Sequence, residues 1–326
     1  MVTAWPIRFE DVLSARERTL PHLPPTPLRG YPALDAAVGQ GLRVLVKHEN
    51  FQPTGAFKVR NALSALTALG PAERRRGVVA ATRGNHGLGL AWAGARLGIP
   101  VTVCVPLGNN PEKNAAVRGL GARLVEEGRD YDESVKAAER LTAGEGLHLV
   151  HSTNDAAVVA GAGTLALEML EQAPQLEALV LAVGGGSQAV GALTVLRGRE
   201  AAVPVYAVQA KGASAIHDAW HLGRPVSKPS ADTIADGLAT RNTYPFTFGA
   251  LREGLAGFVT VTDAQIAEAV RLVLSTTHTL VEGAGAAGLA GLLALRETLA
   301  GGTVGIVLSG ANIDQALLKR ILDGEI

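Results

Sequence analysis

Cysteine is almost missing from this chain. Cys104 is the single one in 326 residues, so no internal disulfide can form and a reducing, cytoplasmic setting is the economical expectation. It lies in Val101-Thr102-Val103-Cys104-Val105, which reads as a buried strand where a thiol is ordinarily inert. Neither sign of charge is in excess, with 30 basic and 30 acidic residues, and no basic run interleaved with aromatics occurs. Nucleic acid is therefore not an expected partner. Aromatics make up only 4%, which leaves the core to aliphatic helix and strand packing. No uncharged run reaches the roughly 18 residues a membrane span needs, and Met1-Val2-Thr3-Ala4-Trp5-Pro6 lacks the basic flank and apolar core of a signal peptide, so no membrane partner is expected. Repeats, charge blocks and low-complexity tails are absent as well.

What is present is apolar and glycine-rich, 47% hydrophobic residues and 39 glycines. The length exceeds an ordinary domain of roughly 100–200 residues, so two subdomains are expected. Residues 8 to 20 carry a helical pattern, followed by a proline-rich connector (Pro21, Pro24, Pro25, Pro27) and a short strand from Leu42 to Val46. From residue 77 strand and helix alternate: strands at Val78–Ala81, Val101–Val105, Arg123–Val125 and His148–Val150, with helices from the glycine-rich run at 84 to about Leu97, from Pro111, and from about Asp132 to Leu141. A second series has helices from about Asp155 to Glu171 and from Ser187, and strands at Ala178–Val183 and Val203–Val208. After an irregular stretch from 211 to 256 come a helix from Asp263 to about Thr276, a strand at Thr303–Leu308 and a closing helix at Ile313–Leu322. Such alternation signifies parallel βαβ units, hence an α/β fold with a compact lobe at 77–150 inserted between the N-terminal segment and a longer C-terminal lobe.

Chemistry concentrates around Asn50-Phe51-Gln52-Pro53-Thr54-Gly55-Ala56-Phe57-Lys58, a turn that runs on into a helix. A lysine in the first helical turn, near positive peptide dipoles and apolar neighbours, is pushed toward the neutral amine, a nucleophile for a cofactor aldehyde. The competing reading is one more solvated lysine. Three glycine-rich segments follow strands, where open parallel sheets place their crevices. In Thr82-Arg83-Gly84-Asn85-His86-Gly87, Asn85 can donate to a phenolate-like oxygen and the opening amides can hold a carboxylate; a plain capping turn is the alternative. Gly184-Gly185-Gly186-Ser187 reads as a phosphate cradle at a helix start, and lacks the lysine of a Walker loop. Ser309, in Ser309-Gly310-Ala311-Asn312, can hydrogen-bond a heteroaromatic nitrogen or serve as a helix cap. Gly283-Ala284-Gly285-Ala286-Ala287-Gly288 fits the dinucleotide fingerprint, but Thr279–Glu282 is a weak strand, Glu282 adjoins the pyrophosphate position, and no acidic residue ends a strand about 20 residues on. Tight helix packing is the preferred reading.

Pro53–Arg60, Gly84–Gly87, Gly184–Gly186 and Ser309–Asn312 together resemble the threonine/serine dehydratase family, pyridoxal-phosphate enzymes of the tryptophan synthase β-subunit fold (fold type II). Pro111-Glu112-Lys113-Asn114 and Ala235-Asp236-Gly237 add to the resemblance, which covers nearly the whole chain. It implies a two-lobed fold, each lobe an open twisted, mostly parallel sheet flanked by helices, with 1–70 and 151–326 as the large cofactor-binding domain and 77–150 as a small mobile substrate domain. It implies pyridoxal 5'-phosphate as cofactor, with Lys58 as the catalytic Schiff-base lysine, Phe57 and Gly237 flanking the ring, Asn85 at the ring oxygen, Gly184 to Ser187 at the phosphate and Ser309 at the ring nitrogen. The backbone around Gly84 and His86, with Thr54, would receive the carboxylate of a small amino-acid substrate. A cytoplasmic homodimer that removes water and ammonia from a β-hydroxy-α-amino acid such as threonine or serine is the implied whole.

Three departures bear on that expectation. Arg83 stands where dehydratases and serine racemases usually carry serine, which counts against racemisation and makes 3-hydroxyaspartate a candidate substrate if the guanidinium pairs with a second anionic group. Ser187 replaces a fourth glycine. Gln209 stands where metal-activated members carry acidic ligands, so a divalent cation at that place is not expected. The chain ends at Ile326 without the regulatory domain of biosynthetic threonine deaminases, and isoleucine feedback through that module is not expected. A β-replacement enzyme or racemase of the same fold, a non-catalytic pyridoxal-phosphate carrier and an NAD-dependent oxidoreductase are the rival readings.

Overall fold

A computed structural model describes residues 5–129 and 131–326; of the segment read above for a leader, Met1 to Ala4 lie outside the described residues. The strands in chain order are β1 (Leu28–Gly30), β2 (Arg43–Lys47), β3 (Val78–Ala81), β4 (Val101–Val105), β5 (Arg123–Glu126), β6 (His148–Leu149), β7 (Ala178–Ala182), β8 (Val205–Ala210), β9 (Gly257–Val261) and β10 (Thr303–Val307). The helices are α1 (Phe9–Thr19), α2 (Pro32–Val38), α3 (Lys58–Ala68), α4 (Pro71–Arg76), α5 (Asn85–Leu97), α6 (Pro111–Gly119) and α7 (Tyr131–Glu145). They continue with α8 (Ala156–Gln172), α9 (Ser187–Gly198), α10 (Ala215–Leu222), α11 (Pro245–Gly254), α12 (Asp263–Thr277), α13 (Gly283–Leu295) and α14 (Gln315–Leu322).

These elements make an α/β protein with two sheets. Six strands run in the order β1-β2-β10-β7-β8-β9 and four in the order β5-β4-β3-β6. Every pairing is parallel except the antiparallel edge pair β1–β2. Central strands read as continuous aliphatic runs because both faces are covered: every residue of β3, β4 and β7 is buried. Helix starts follow side-chain chemistry. The Asp155 carboxylate accepts from the Ala157 and Val158 amides to open α8, Asn110 and Pro111 open α6, and Thr262 with Gln265 forms a capping box for α12.

Where the sequence reading and the structure differ, the causes are local. The stretch 211–256 contains α10 and α11, whose few turns sit among proline and glycine. The weak strand at Thr279–Glu282 does not form; instead Gly283–Gly288 lies wholly inside α13, which is buried through Leu292. Its glycines serve close packing, since a Cβ on Gly285 would stand 2.5 Å from the Gly310 carbonyl oxygen and one on Gly291 2.1 Å from Val208. The edge strands β1 and β9 were not legible: β1 has only three residues, and β9, partly exposed at the sheet's edge, lacks the continuous aliphatic run that marks β3 and β7.

Candidate active site

The lysine loop is built by backbone bonds to the end of β10. Gly55 takes φ +65, the left-handed region glycine enters without strain, so that the chain doubles back. The Phe57 amide then donates to the Ser309 carbonyl at 2.9 Å and the Ala311 amide to the Gly55 carbonyl at 2.8 Å. Lys58 consequently opens α3 facing the carboxyl ends of the large sheet's strands, with Ser309 from the neighbouring loop. Gly89 draws α5 against the same turn: a Cβ there would be 2.9 Å from the Lys58 carbonyl oxygen.

Lys58, Phe57, Arg83, Gly84, Asn85, His86, Gly184 to Ser187, Gly237 and Ser309 all line one cavity of about 390 Å³. Thr54 does not. It is buried, and its hydroxyl donates to the Ala56 carbonyl at 3.3 Å, so as a side chain it belongs to the loop's interior. The Lys58 Nζ makes one weak bond, to the Ser152 carbonyl at 3.5 Å, and lies 5.0 Å from the Phe57 ring centroid. No carboxylate among the described residues stands beside it, and burial lowers its pKa to about 8. His86 is pushed down to about 3, chiefly by burial and then by the nearby Lys58, so its imidazole is neutral. Its Nε2 donates to the Val150 carbonyl at 3.1 Å and its Nδ1 is left a buried acceptor without a partner.

The glycine run leaves no room for side chains. A Cβ on Gly184 would be 2.6 Å from the Gly237 carbonyl oxygen and one on Gly185 2.0 Å from the Thr153 hydroxyl, while Gly186 takes φ +101. The run ends at the start of α9, whose first N–H groups have no intrahelical acceptor. This is a cradle of bare backbone donors at a positive helix end, which fits a dianionic phosphate, and Ser187 adds a hydroxyl. Asn61 Nδ2 reaches that hydroxyl at 3.5 Å.

Two residues without an expected role adjoin Asn85: Glu282, which lines the cavity, and Asn312, which does not. Asn85 Nδ2 donates to Glu282 Oε1 at 2.7 Å, and Asn312 Nδ2 donates at 2.7 Å to Asn85 Oδ1 and at 2.8 Å to the Thr54 carbonyl. Glu282 was visible only as an acid out of place before a glycine run, and Asn312 only as the last letter of a motif. Arg83 is exposed at the cavity's edge without an ion pair or hydrogen bond to the described residues. Lys113, also in the wall, pairs with Asp236. Gln209 is fully buried away from the cavity, bonded to the His217 amide at 3.0 Å and to Thr240 at 3.5 Å.

A lysine amine of lowered basicity, set in a crevice between two open sheets and sharing its cavity with a phosphate cradle, defines an enzyme class that anchors a phosphorylated aldehyde through a protein amine. Residues 19–310 match the family described as pyridoxal-phosphate dependent enzyme, and the chain belongs to that family. It is 35% identical over 317 residues to an L-threonine ammonia-lyase of Thermotoga maritima, covering 97% of this chain and 78% of that one. It is 34% identical over 316 residues to an L-threo-3-hydroxyaspartate ammonia-lyase of a Pseudomonas species, covering 97% and 98%. Among solved structures, maize serine racemase superposes with a TM-score of 0.92 at 27% identity, covering 98% of both chains.

Proposed function

We propose that this protein is an ammonia-lyase that takes a β-hydroxy-α-amino acid such as threonine or serine to a 2-oxo acid and ammonia. The observation that carries the reading is the Lys58 amine, without a carboxylate partner among the described residues and with its pKa lowered to about 8, in one cavity with the Gly184–Ser187 cradle. Lys58 would hold the cofactor covalently, Gly184, Gly185, Gly186 and Ser187 its phosphate, Phe57 and Gly237 the two faces of its ring, Asn85 its ring oxygen and Ser309 its ring nitrogen. The cofactor, when bound, supplies the electron sink for the carbanion formed at Cα.

The protein's own groups supply the rest. Once the substrate amine has taken its place, Lys58 is the free base that removes the Cα proton, a role worth roughly 10²–10⁴-fold. The first amides of α5, at Asn85 and His86, would hold the substrate carboxylate beside Gly84, whose own N–H donates to the Thr82 hydroxyl at 3.1 Å. A Ser309 hydroxyl, unlike a carboxylate, does not force a full proton onto a ring nitrogen, which favours early loss of the β-hydroxyl. Residues 77–150 act as a lobe that closes over residues 1–70 and 151–326 when substrate binds. A cytoplasmic homodimer is the setting we assign: the one thiol is buried, and among the described residues no helix is long and apolar enough to cross a membrane.

Arg83 supports a second reading of the substrate. Its unpaired guanidinium at the cavity suits a carboxylate on Cβ, as in 3-hydroxyaspartate. The test is ammonia and 2-oxo acid release from threonine, serine and 3-hydroxyaspartate by the protein, by Arg83→Ser and by Lys58→Ala. Lys58→Ala is expected to lose the covalent cofactor and all turnover, and Arg83→Ser to lose activity selectively on the acidic substrate. A coloured protein that releases no ammonia from any of the three would be a carrier instead, and equal preference in both Arg83 forms removes the second reading.

A further inference from the structure

Glu282 is a buried carboxyl that the steps above leave without a task. It precedes α13 as its N-cap, yet its side chain does not cap the helix. It is 3% exposed and forms part of the cavity wall with Lys58 and Asn85. Close-packed glycines surround it: a Cβ on Gly310 would lie 2.6 Å from Oε1 and one on Gly237 3.9 Å. Oε1 accepts from Asn85 Nδ2 at 2.7 Å, and the nearby Asn312 backbone amide works to draw the carboxyl's pKa down. Oε2 is buried and has no hydrogen-bond partner among the described residues.

An ionised carboxylate with one oxygen buried and bare is costly, whereas a protonated one is a donor in search of an acceptor. The amide of Asn85 is oriented by Asn312, so its nitrogen stands beside the carboxyl in the wall. A cofactor oxygen held by that nitrogen is therefore next to Glu282. We propose that Glu282 keeps a proton in the active site and, with the Asn85 amide, donates to the anionic ring oxygen of the bound cofactor. The proton remains shared across that hydrogen bond, and no other bond forms or breaks. The proposal rests on the cofactor placement given above.

The charged groups facing the carboxyl act in opposite directions. Burial, then the Asp236 charge, raise its pKa to about 7, while Lys113 on α6 and the Asn85 hydrogen bond draw it down. As pH rises through that point the donor becomes an anion beside an anionic ring oxygen, and the cofactor's electronic state changes.

The absorption spectrum of the holoenzyme, titrated from pH 6 to 9, reads this directly. In the native protein a spectral transition is expected that Glu282→Gln lacks, because the glutamine N–H donates at every pH where the acid O–H donated only below the midpoint. Asp236→Asn, at an exposed position, is expected to move the midpoint down by about half a pH unit or more, since the charge that helps retain the proton is gone. A transition that persists unmoved in Glu282→Gln overturns the proposal. So does an unmoved midpoint in Asp236→Asn, which decides the matter if Glu282→Gln fails to retain cofactor. These spectra do not depend on which amino acid is turned over. A coloured protein that releases no ammonia would therefore refute the ammonia-lyase reading and leave this one standing, while a protein that binds no cofactor would refute both.

Discussion

Lys58 can act near neutral pH because burial strips water from its ammonium without supplying a counter-charge. Between a folded value of about 8 and the usual 10.5, the unfolded chain carries a proton there that the folded chain does not. Stability from this group is accordingly gained as pH rises through that window and absent below it. The functional consequence is sharper. Attachment of pyridoxal phosphate to cofactor-free protein is expected to accelerate with pH and level off above about 8, followed by absorbance in stopped flow. A rate still climbing at pH 10 would return Lys58 to an ordinary solvated amine. The motif announced Lys58, while the burial that lowers its pKa depends on chain segments far away in sequence.

The elements that carry these side chains are held by two devices. One is the close crossing of small residues: a Cβ on Gly161 of α8 would lie 2.6 Å from the Arg60 carbonyl oxygen of α3, and one on Gly191 of α9 2.5 Å from the Gly163 amide of α8. The other is a buried four-charge cluster of Lys47, Glu49, Arg60 and Glu168 beneath the lysine helix. Arg60 grips Glu49 at 2.8 and 2.9 Å and Glu168 at 2.6 and 2.8 Å, and Lys47 donates to Glu168 at 2.6 Å. Burial pulls the Lys47 amine down against the opposing Glu168, and Glu49, despite burial, is held below its ordinary value by Arg60. Two positive and two negative charges balance, so removing one strands another. Glu168→Ala is expected to cost about 3–5 kcal/mol in chemical denaturation. The exposed pair Arg197–Glu253, cut by Arg197→Ala, should cost under about 1 kcal/mol. Equal effects would show that the buried cluster is no more than a set of solvated charges.

On the scale of the whole molecule, the two sheets meet across the cavity through a small number of polar contacts. Asn85 reaches Glu282 and Asn312, Asn110 Nδ2 donates to Asp314 at 2.8 Å, and Lys113 pairs with Asp236 at the cavity wall. Lys113 and Asp236 remain partly exposed, where an ion pair contributes roughly 0.2–1 kcal/mol. Lys113→Ala is therefore expected to leave global stability within about 1 kcal/mol. If residues 77–150 close over the rest of the chain as proposed, the same change should speed hydrogen exchange at the start of α5 by up to about fivefold, because even a small term shifts such an equilibrium. Unchanged exchange at α5 would remove this pair from the closure.

Local chemistry along the chain determined much of this protein. The alternation of aliphatic runs with capped helices specifies parallel βαβ units, and strand-end glycines mark where backbone must approach a ligand, which made Lys58, Gly184 to Ser187, Asn85 and Ser309 legible as candidates. Only the tertiary structure decided that Thr54 faces away from the cavity, that Gly283–Gly288 is packing in α13, and that Glu282 and Asn312 join Asn85. The physical reason is range. Turns, caps and periodicity act over a few residues, whereas a buried carboxyl gains meaning from Asn85, which lies 197 positions away in the chain and 2.7 Å away in space.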